Sequence, residues 1–365
     1  PRAARAGPPQ PAGGRTPPAP WRDPMDLQIA LFLGQDGIIN GAIYALMALA
    51  LVLVFSVTRV IFVPQGELVA YGALTMAVLQ AGGTPATLWL LLALAALTLA
   101  MEAWRQARGG TVDWWATGLW CVLLPALAAL AVWWRPASLL GQALTVVLIV
   151  TPLGPLIYRL AFRPLAHATV LVLLIVSVAL HGVLMGLGLW FFGAEGSRTP
   201  PFSEARFELG GLIVSGQSLV VLGVTVALVV AMFVFFERTL LGKALRATAI
   251  NRVGARLMGI PTELSGDLSF ALAAKIAAIS GLLIAPITTI YYDTGFLIGL
   301  KGFVAAIIGG LASYPAALLG AVLVGQLEAF ASFWASAFKE VLVFTLIIPV
   351  LLWRSLRSHH VEEEE

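Results

Sequence analysis

Three ionisable residues, Glu67, Lys275 and Glu328, lie inside long apolar runs, with Asp267 and Glu340 nearer the ends of such runs. A charge at the centre of a membrane helix costs about 2.5–3.5 kcal/mol on insertion scales, so each must face a bundle interior or an aqueous cavity. Two readings stand open for Glu67 and Glu328: structural charges whose pairing sets helix register, or groups lining a translocation path. For Lys275 a carboxylate partner is preferred to a solute. Asp267 and Lys275 are two turns apart on one helix face, too far to pair directly.

Catalytic signatures are absent from the sequence. It has no GxSxG elbow, no HExxH pair and no cysteine pair for a metal. His167 falls at a loop edge, His181 is alone in an apolar span, and His359 and His360 lie in the tail. Packing or solvation is the expected role of each. Cys121, the single cysteine, excludes an internal disulfide framework and reads as a small buried hydrophobe. There is no GxxxxGK motif followed by Ser or Thr, so the chain has no phosphate-cradling loop. Neither a metal nor a cofactor is expected, and ATP, if it powers the protein, is hydrolysed by another polypeptide.

One polar segment stands out, Glu237 to Glu263, with Arg238, Lys243, Arg246, Arg252 and Arg256 in a chain only 11% charged. Gly242 opens it after an apolar run, Lys243 to Met258 is helix-compatible, and Gly259–Ile260–Pro261 stops the helix. Such a helix fits a groove on a soluble partner. The alternative is that its bases only satisfy the positive-inside rule and bind the headgroups of membrane lipid.

These residues need a membrane scaffold to hold them. The 365-residue chain is 59% hydrophobic with mean hydropathy +0.92, well above the ~45–50% of soluble domains. Several runs approach the ~20 residues needed to cross the hydrocarbon layer, and they are apolar all round rather than alternating as in a transmembrane barrel. The expectation is an all-α polytopic transmembrane bundle of about 10 spans: 35–57, 64–80, 86–103, 114–134, 139–159, 168–191, 216–236, 266–287, 301–325 and 340–354. Residues 1–24, rich in Pro, Ala, Gly and Arg, are expected to be a disordered extension before a start at Met25. Residues 25–357 form the membrane domain and 358–365 a polar tail. The net charge of +3 says little, because distribution orients a membrane protein.

Arg and Lys place the segments near Arg105 and Arg108, near Arg159 and Arg163, and at 237–263 on the cytoplasmic side. That phasing puts 192–215 outside. Two conflicts follow. Counting back leaves the basic amino terminus outside, unless an extra crossing or re-entrant segment lies near 27–40. Trp353, Arg354 and Arg357 resemble a cytoplasmic anchor, which requires 301–337 to cross twice. Gly309–Gly310 and Ser313–Tyr314–Pro315 interrupt an apolar run, and a helix broken at membrane depth often marks a substrate route. Small residues four apart (Gly37/Gly41, Gly182/Gly186, Gly295/Gly299, Ala316/Gly320, Ala321/Gly325) are expected to let helices approach closely within the subunit.

Several ordered motifs resemble one family. GKALRATAINRVGARLMGIPT at 242–262 is similar to the cytoplasmic coupling segment of branched-chain amino acid ABC importer permeases of the LivH type. AFRPL at 161–165, the Gly-rich block 295–330 with Glu328, and FKEVLVF at 338–344 match further family segments. The likeness covers roughly 35–80 and 139–354, with 86–134 as a probable insertion of two spans. Phe62-Val63-Pro64-Gln65-Gly66-Glu67 stands where the family has Asn-Phe-Ala-His-Gly-Glu, so Gly66 and Glu67 match while Phe62 and Gln65 depart. Lys275 falls where the family has a small residue.

The resemblance implies a permease subunit in a bacterial cell inner membrane, serving branched-chain amino acids or similar small polar solutes. Its implied partners are a second homologous permease, two ABC ATPase subunits that use the ATP, and a periplasmic solute-binding protein, with no nucleic acid. Coupling to the ATPase is implied for Gly242, Lys243, Arg246, Ala247, Asn251, Arg252, Gly259, Ile260 and Pro261. Arg246 and Arg252 would make polar contact, and Gly259–Pro261 would be the rigid stop. Gln65, Gly66, Glu67, Lys275, Gly309, Gly310 and Glu328 are the candidates for the translocation path. An alternative from the residues alone is an ion-coupled secondary transporter relaying through Glu67, Lys275 and Glu328. A membrane enzyme would need a metal or covalent adduct at His181 or Cys121.

Overall fold

The computed structural model describes residues 27–166, 168–209, 212–311 and 313–357. The expectations for residues 1–24, His167 and the tail with His359 and His360 lie outside them. Nine helices among the described residues are long and apolar enough to cross a membrane. They are α1 (Leu27–Thr58), α3 (Ala86–Ala107), α4 (Trp114–Trp134), α5 (Leu139–Leu165), α6 (Val170–Phe192), α7 (Gly216–Arg238), α10 (Thr262–Ile284), α12 (Tyr314–Trp334) and α13 (Ser336–Trp353). Between them lie the shorter helices α2 (Gln65–Gln80), α8 (Leu240–Ile250), α9 (Arg252–Leu257) and α11 (Thr294–Ile308). One antiparallel hairpin, β1 (Arg206–Leu209) with β2 (Leu212–Ser215), follows α6.

Local chemistry sets these boundaries. Thr169, Ser215, Thr239, Asn251 and Ser313 each cap the helix that follows by accepting a backbone N–H three residues on. Gly193 and Gly259 end α6 and α9 in conformations with φ of 77° and 80°, which a side chain would disfavour.

α1 and α10 are the buried centre of the bundle, packed on α2, α11 and α12. The two helices at 86–134 sit at the periphery, with Trp89, Trp104, Trp115, Trp133 and Trp134 exposed near their ends. Tryptophans at both ends of peripheral helices match the two interfacial belts of a membrane protein. Trp115 and Trp134 are separated by roughly 28 Å of helix rise, close to a hydrocarbon thickness.

Side-chain contacts sort the helix ends into two sets. At the basic end, Arg163 bonds Glu102 at the close of α3 and Glu263 at the start of α10. Ser56 near the close of α1 donates to Leu311 O at 3.4 Å, and Tyr314 at the start of α12 stacks on Phe236 near the close of α7. At the other end, Gln35 donates to Ile213 O at 3.4 Å, and Arg198 donates to Pro286 O and Ile287 O at 3.0 Å each.

Three expectations change and one helix is placed more exactly. Residues 27–58 are one continuous 32-residue helix, with no additional crossing or re-entrant segment at 27–40. The helix expected at 64–80 is found at 65–80, 16 residues long, after an unwound stretch that follows Thr58. Gln65 already donates to Ala273 O, eleven residues into α10, so α2 starts at mid-depth. The span expected at 301–325 is two helices. α11 ends at Ile308, Gly310 and Leu311 take left-handed conformations (φ 70° and 57°), and Pro315 sits at the start of α12. Finally, Gly182 and Gly186 have no atom of another element within 4 Å of a built Cβ, so that pair makes no close packing inside the subunit. Gly37, Gly41, Gly320 and Gly325 do face another helix closely, as expected.

Candidate functional site

At mid-depth, the start of α2 is held by backbone contact. A Cβ on Gly66 would overlap Gly295 O of α11, and one on Gly295 would overlap Gly66 O. This approach seats Glu67 beside α6, where Glu67 Oε1 lies 2.7 Å from His181 Nδ1. His181 stacks on Phe296 of α11 at 4.4 Å between ring centroids. Gln65 is buried and tied to the α10 backbone at 2.9 Å. No donor from the described residues reaches Glu67 Oε2 or Gln65 Oε1. The expected solvated or packing histidine is thus the partner of the one intramembrane carboxylate on α2.

Glu328 belongs to a second cluster. Lys301 of α11 donates to Glu328 Oε1 at 2.5 Å and to Glu340 Oε1 at 3.1 Å, and the Tyr44 hydroxyl of α1 bonds Glu328 Oε2. Glu328, like Glu67, is thus paired within the chain. Lys301 escaped sequence reading because it stood at the edge of an expected span. The signal was available: a buried carboxylate calls for a cation, and Lys301 is a cation inside an apolar run.

A third cluster closes the basic end. Arg159 of α5 grips Asp267 through Nε at 3.0 Å to each carboxylate oxygen and Nη2 at 2.5 Å, and donates to Thr117 at 2.9 Å. Bidentate geometry with full hydrogen bonding is what allows a buried ion pair to offset its desolvation.

Lys275 is different. It lies thirteen residues into α10, is exposed, and makes no ion pair or hydrogen bond among the described residues. The expected carboxylate partner is not there, because every carboxylate deep in the bundle is already engaged. Gly309 and Gly310 form the turn at the basic end of α11 rather than a break at mid-depth. The expected relay through Glu67, Lys275 and Glu328 therefore falls into separate clusters, with no hydrogen bond or ion pair joining the three.

The basic segment is two helices, not one from 243 to 258. Asn251 is extended (φ −146°, ψ 101°) and its side chain accepts from Gly254 N at 2.8 Å, so it ends α8 and starts α9. Gly242 makes the tight turn from α7, since a Cβ there would overlap the Phe235 carbonyl. Lys243 follows in the first turn of α8. Arg246 is exposed and pairs with Glu237 at 2.7 Å. Ala247 lies on the same short helix, and Arg252 opens α9. Gly259, Ile260 and Pro261 form the link to α10. The outer surface carries Ile250, Val253, Leu257 and Met258, exposed by 78%, 69%, 82% and 83%. These two short helices thus expose four large apolar side chains among their bases.

Comparison with known proteins agrees with this architecture. Residues 35–351 match the family described as branched-chain amino acid transport system, permease component. The chain is 30% identical over 226 residues to the high-affinity branched-chain amino acid transport system permease protein BraD of Pseudomonas aeruginosa, covering 60% of this chain and 74% of that protein. It is 29% identical over 213 residues to LivH of Escherichia coli, of the same description, covering 56% and 69%. A shorter stretch of 108 residues is 32% identical to the autoinducer 2 import system permease protein LsrC of Yersinia enterocolitica, covering 28% and 30%.

Proposed function

The chain belongs to the permease-component family of branched-chain amino acid transport systems, and from that premise we propose how its parts divide the work of ATP-driven import. As a permease component it moves solute and leaves ATP hydrolysis to other subunits. The proposed assembly is this chain, a second homologous permease, two ABC ATPase subunits and an external solute-binding protein, in a bacterial inner membrane. The solute is a branched-chain amino acid or a similar small polar molecule.

The observation that carries this reading is the exposed apolar patch on α8 and α9, framed by Arg246 and Arg252. A soluble ATPase offering an apolar groove with an acidic rim would bury Ile250, Val253, Leu257 and Met258 and pair the bases. Closure of the ATPase pair would then push on α8 and α9, and Gly259–Pro261 would pass the displacement to α10. α10 is packed on α1 and α2, so its displacement reaches the Glu67 region. A ligand shifts a conformational equilibrium only through differential contact, and this patch is where that contact is proposed to lie.

The test is Leu257→Asp together with Met258→Asp in the full complex. The expected result is loss of ATPase subunits on purification and loss of solute-stimulated ATP hydrolysis, with the permease still folded. Normal association of the ATPase subunits would overturn the assignment.

A further inference from the structure

The deep charges of this bundle are answered within the chain: Glu67 by His181, Glu328 by Lys301, Asp267 by Arg159 and Glu102 by Arg163. Lys275 has no such answer. It is near the midpoint of the 23-residue α10, roughly 20 Å along a helix of roughly 34 Å. Asp267, two turns away, is held by Arg159. From mid-depth the ammonium is about 15 Å from either interface, beyond the reach of a lysine stem. Facing lipid there, it would cost about 2.5–3.5 kcal/mol with nothing gained.

The surface around it is shaped for something else. Leu264, Leu268, Leu272, Lys275 and Ile279 follow one another at helical spacing on the one incompletely covered face of α10, while the other faces are buried. The stripe is apolar except for one cation at its middle. A small amphipathic carboxylate matches it, with its charged end at Lys275 and its apolar body against the neighbouring Leu272 or Ile279, within about 6 Å along the helix.

We infer that this face of α10 lines the solute path and that Lys275 meets the carboxylate of the solute in transit. The inference rests on the permease reading above, in which the second permease subunit closes the far wall. Lys275 then acts as a selectivity residue: it attracts carboxylates to mid-membrane and disfavours cationic solutes, and it is retained despite its insertion cost because it works on the solute.

Two measurements on the assembled complex test this. In a Cys121→Ser background, Lys275→Cys is exposed to a membrane-impermeant sulfonate thiol reagent. Labelling is expected; protection from the reagent, as in lipid or a dry interface, overturns the proposal. Second, ATP-dependent uptake of leucine and of its 2-oxo acid analogue is compared in Lys275→Met and Lys275→Arg. Lys275→Met is expected to reduce uptake of transported carboxylates at least ten-fold while the complex assembles and basal ATP hydrolysis persists, and Lys275→Arg is expected to restore most of it. Unchanged uptake in Lys275→Met, or loss of assembly in both variants, overturns it. Failure of the permease reading looks different: the wild-type complex would show no ATP-dependent uptake, and the labelling result would still decide whether Lys275 faces water.

Discussion

Glu67 Oε1 and His181 Nδ1 lie 2.7 Å apart, joining the short helix α2 to α6 across 114 residues of sequence, with side-chain exposures of 1% and 14%. Removing one member strands the other in a buried, low-dielectric site. His181→Ala is therefore expected to destabilise the protein by about 3–5 kcal/mol. The Glu67→Gln, His181→Ala double variant should lose clearly less than the sum of the two singles. Denaturant unfolding of the purified protein in detergent supplies the cycle, and strictly additive losses would show that the pair is not coupled.

Lys301 and Lys275 make a matched contrast. Both are lysines within apolar helices, yet Lys301 bonds Glu328 and Glu340 while Lys275 bonds no residue of the described chain. Lys301→Met should cost about 3–5 kcal/mol, because it leaves Glu328 uncompensated. Lys275→Met should leave stability unchanged or raise it, since no internal partner loses a contact. The same unfolding assay reads both, and equal losses would contradict the contrast.

The backbone contact of Gly66 with Gly295 yields a steric prediction. An added methyl at either position would meet a carbonyl oxygen of the other helix, with no flexible side chain to move aside. Gly66→Ala should cost at least the ~1–3 kcal/mol of an overpacked core, displace Glu67 and reduce transport. Gly182→Ala and Gly186→Ala, where a built Cβ meets nothing within 4 Å, serve as controls and should leave stability within about 0.5 kcal/mol. Equal tolerance at all three positions would mean α2 and α11 are not in close contact.

The break at Asn251 separates the contributions of α8 and α9. Asn251→Ala removes the side-chain oxygen that accepts from Gly254 N and should weaken α9 by about 1 kcal/mol. Arg246→Glu places a second carboxylate beside Glu237 and reverses the charge offered to an ATPase. The expected outcome is ATPase association weakened at least ten-fold for Arg246→Glu and to a smaller degree for Asn251→Ala, measured by co-purification. Unchanged association and unchanged solute-stimulated hydrolysis for Arg246→Glu would remove that residue from the contact.

What the sequence revealed depended on the range of each interaction. Long apolar runs announce membrane helices because hydropathy is a local sum, and eight of the long helices lie close to where hydropathy puts them. The Gly309–Gly310 interruption was equally legible, since two glycines and a later proline are local backbone facts. Pairings such as Lys301 with Glu328 or Glu67 with His181 were not, because they join segments 27 and 114 residues apart. Local reading also placed a continuous helix over Asn251, whose side chain serves the backbone of the next turn and splits the element. The start of α2 was legible to within one residue, at 64 against Gln65, but its mid-depth position was not, because depth is set by contact with α10, 208 residues away.

The placement of α11 decides the topology. It has 15 residues, about 22 Å of helix, less than a hydrocarbon thickness. Its first residues nevertheless follow Pro286 and Ile290, which contact Arg198 and Ser197 at one end of the bundle. Just past its last residue, Leu311 meets Ser56 at the other end. The chain from Ile290 through α11 to Leu311 therefore passes from end to end, although α11 itself starts near the depth of Gly66; the chain from Arg59 to Gln80 does likewise, through its unwound stretch and α2. Added to the nine long helices, these make eleven passages, which put Leu27 and Arg357 at opposite ends. One conflict of the charge count then resolves, because 301–337 crosses twice and the last helix ends beside the basic loops; α1 still begins at the far end, as counting back from the basic loops requires. Single cysteines introduced at Arg59, Lys243 and Leu311 in a Cys121→Ser background should label from the cytoplasmic side. Cysteines at Arg206, Thr288 and Trp334 should label from the opposite side, using an impermeant maleimide on intact cells and on inverted vesicles. Leu311 and Thr288 labelling from the same side would show that α11 is re-entrant, and would reverse the side of everything after it.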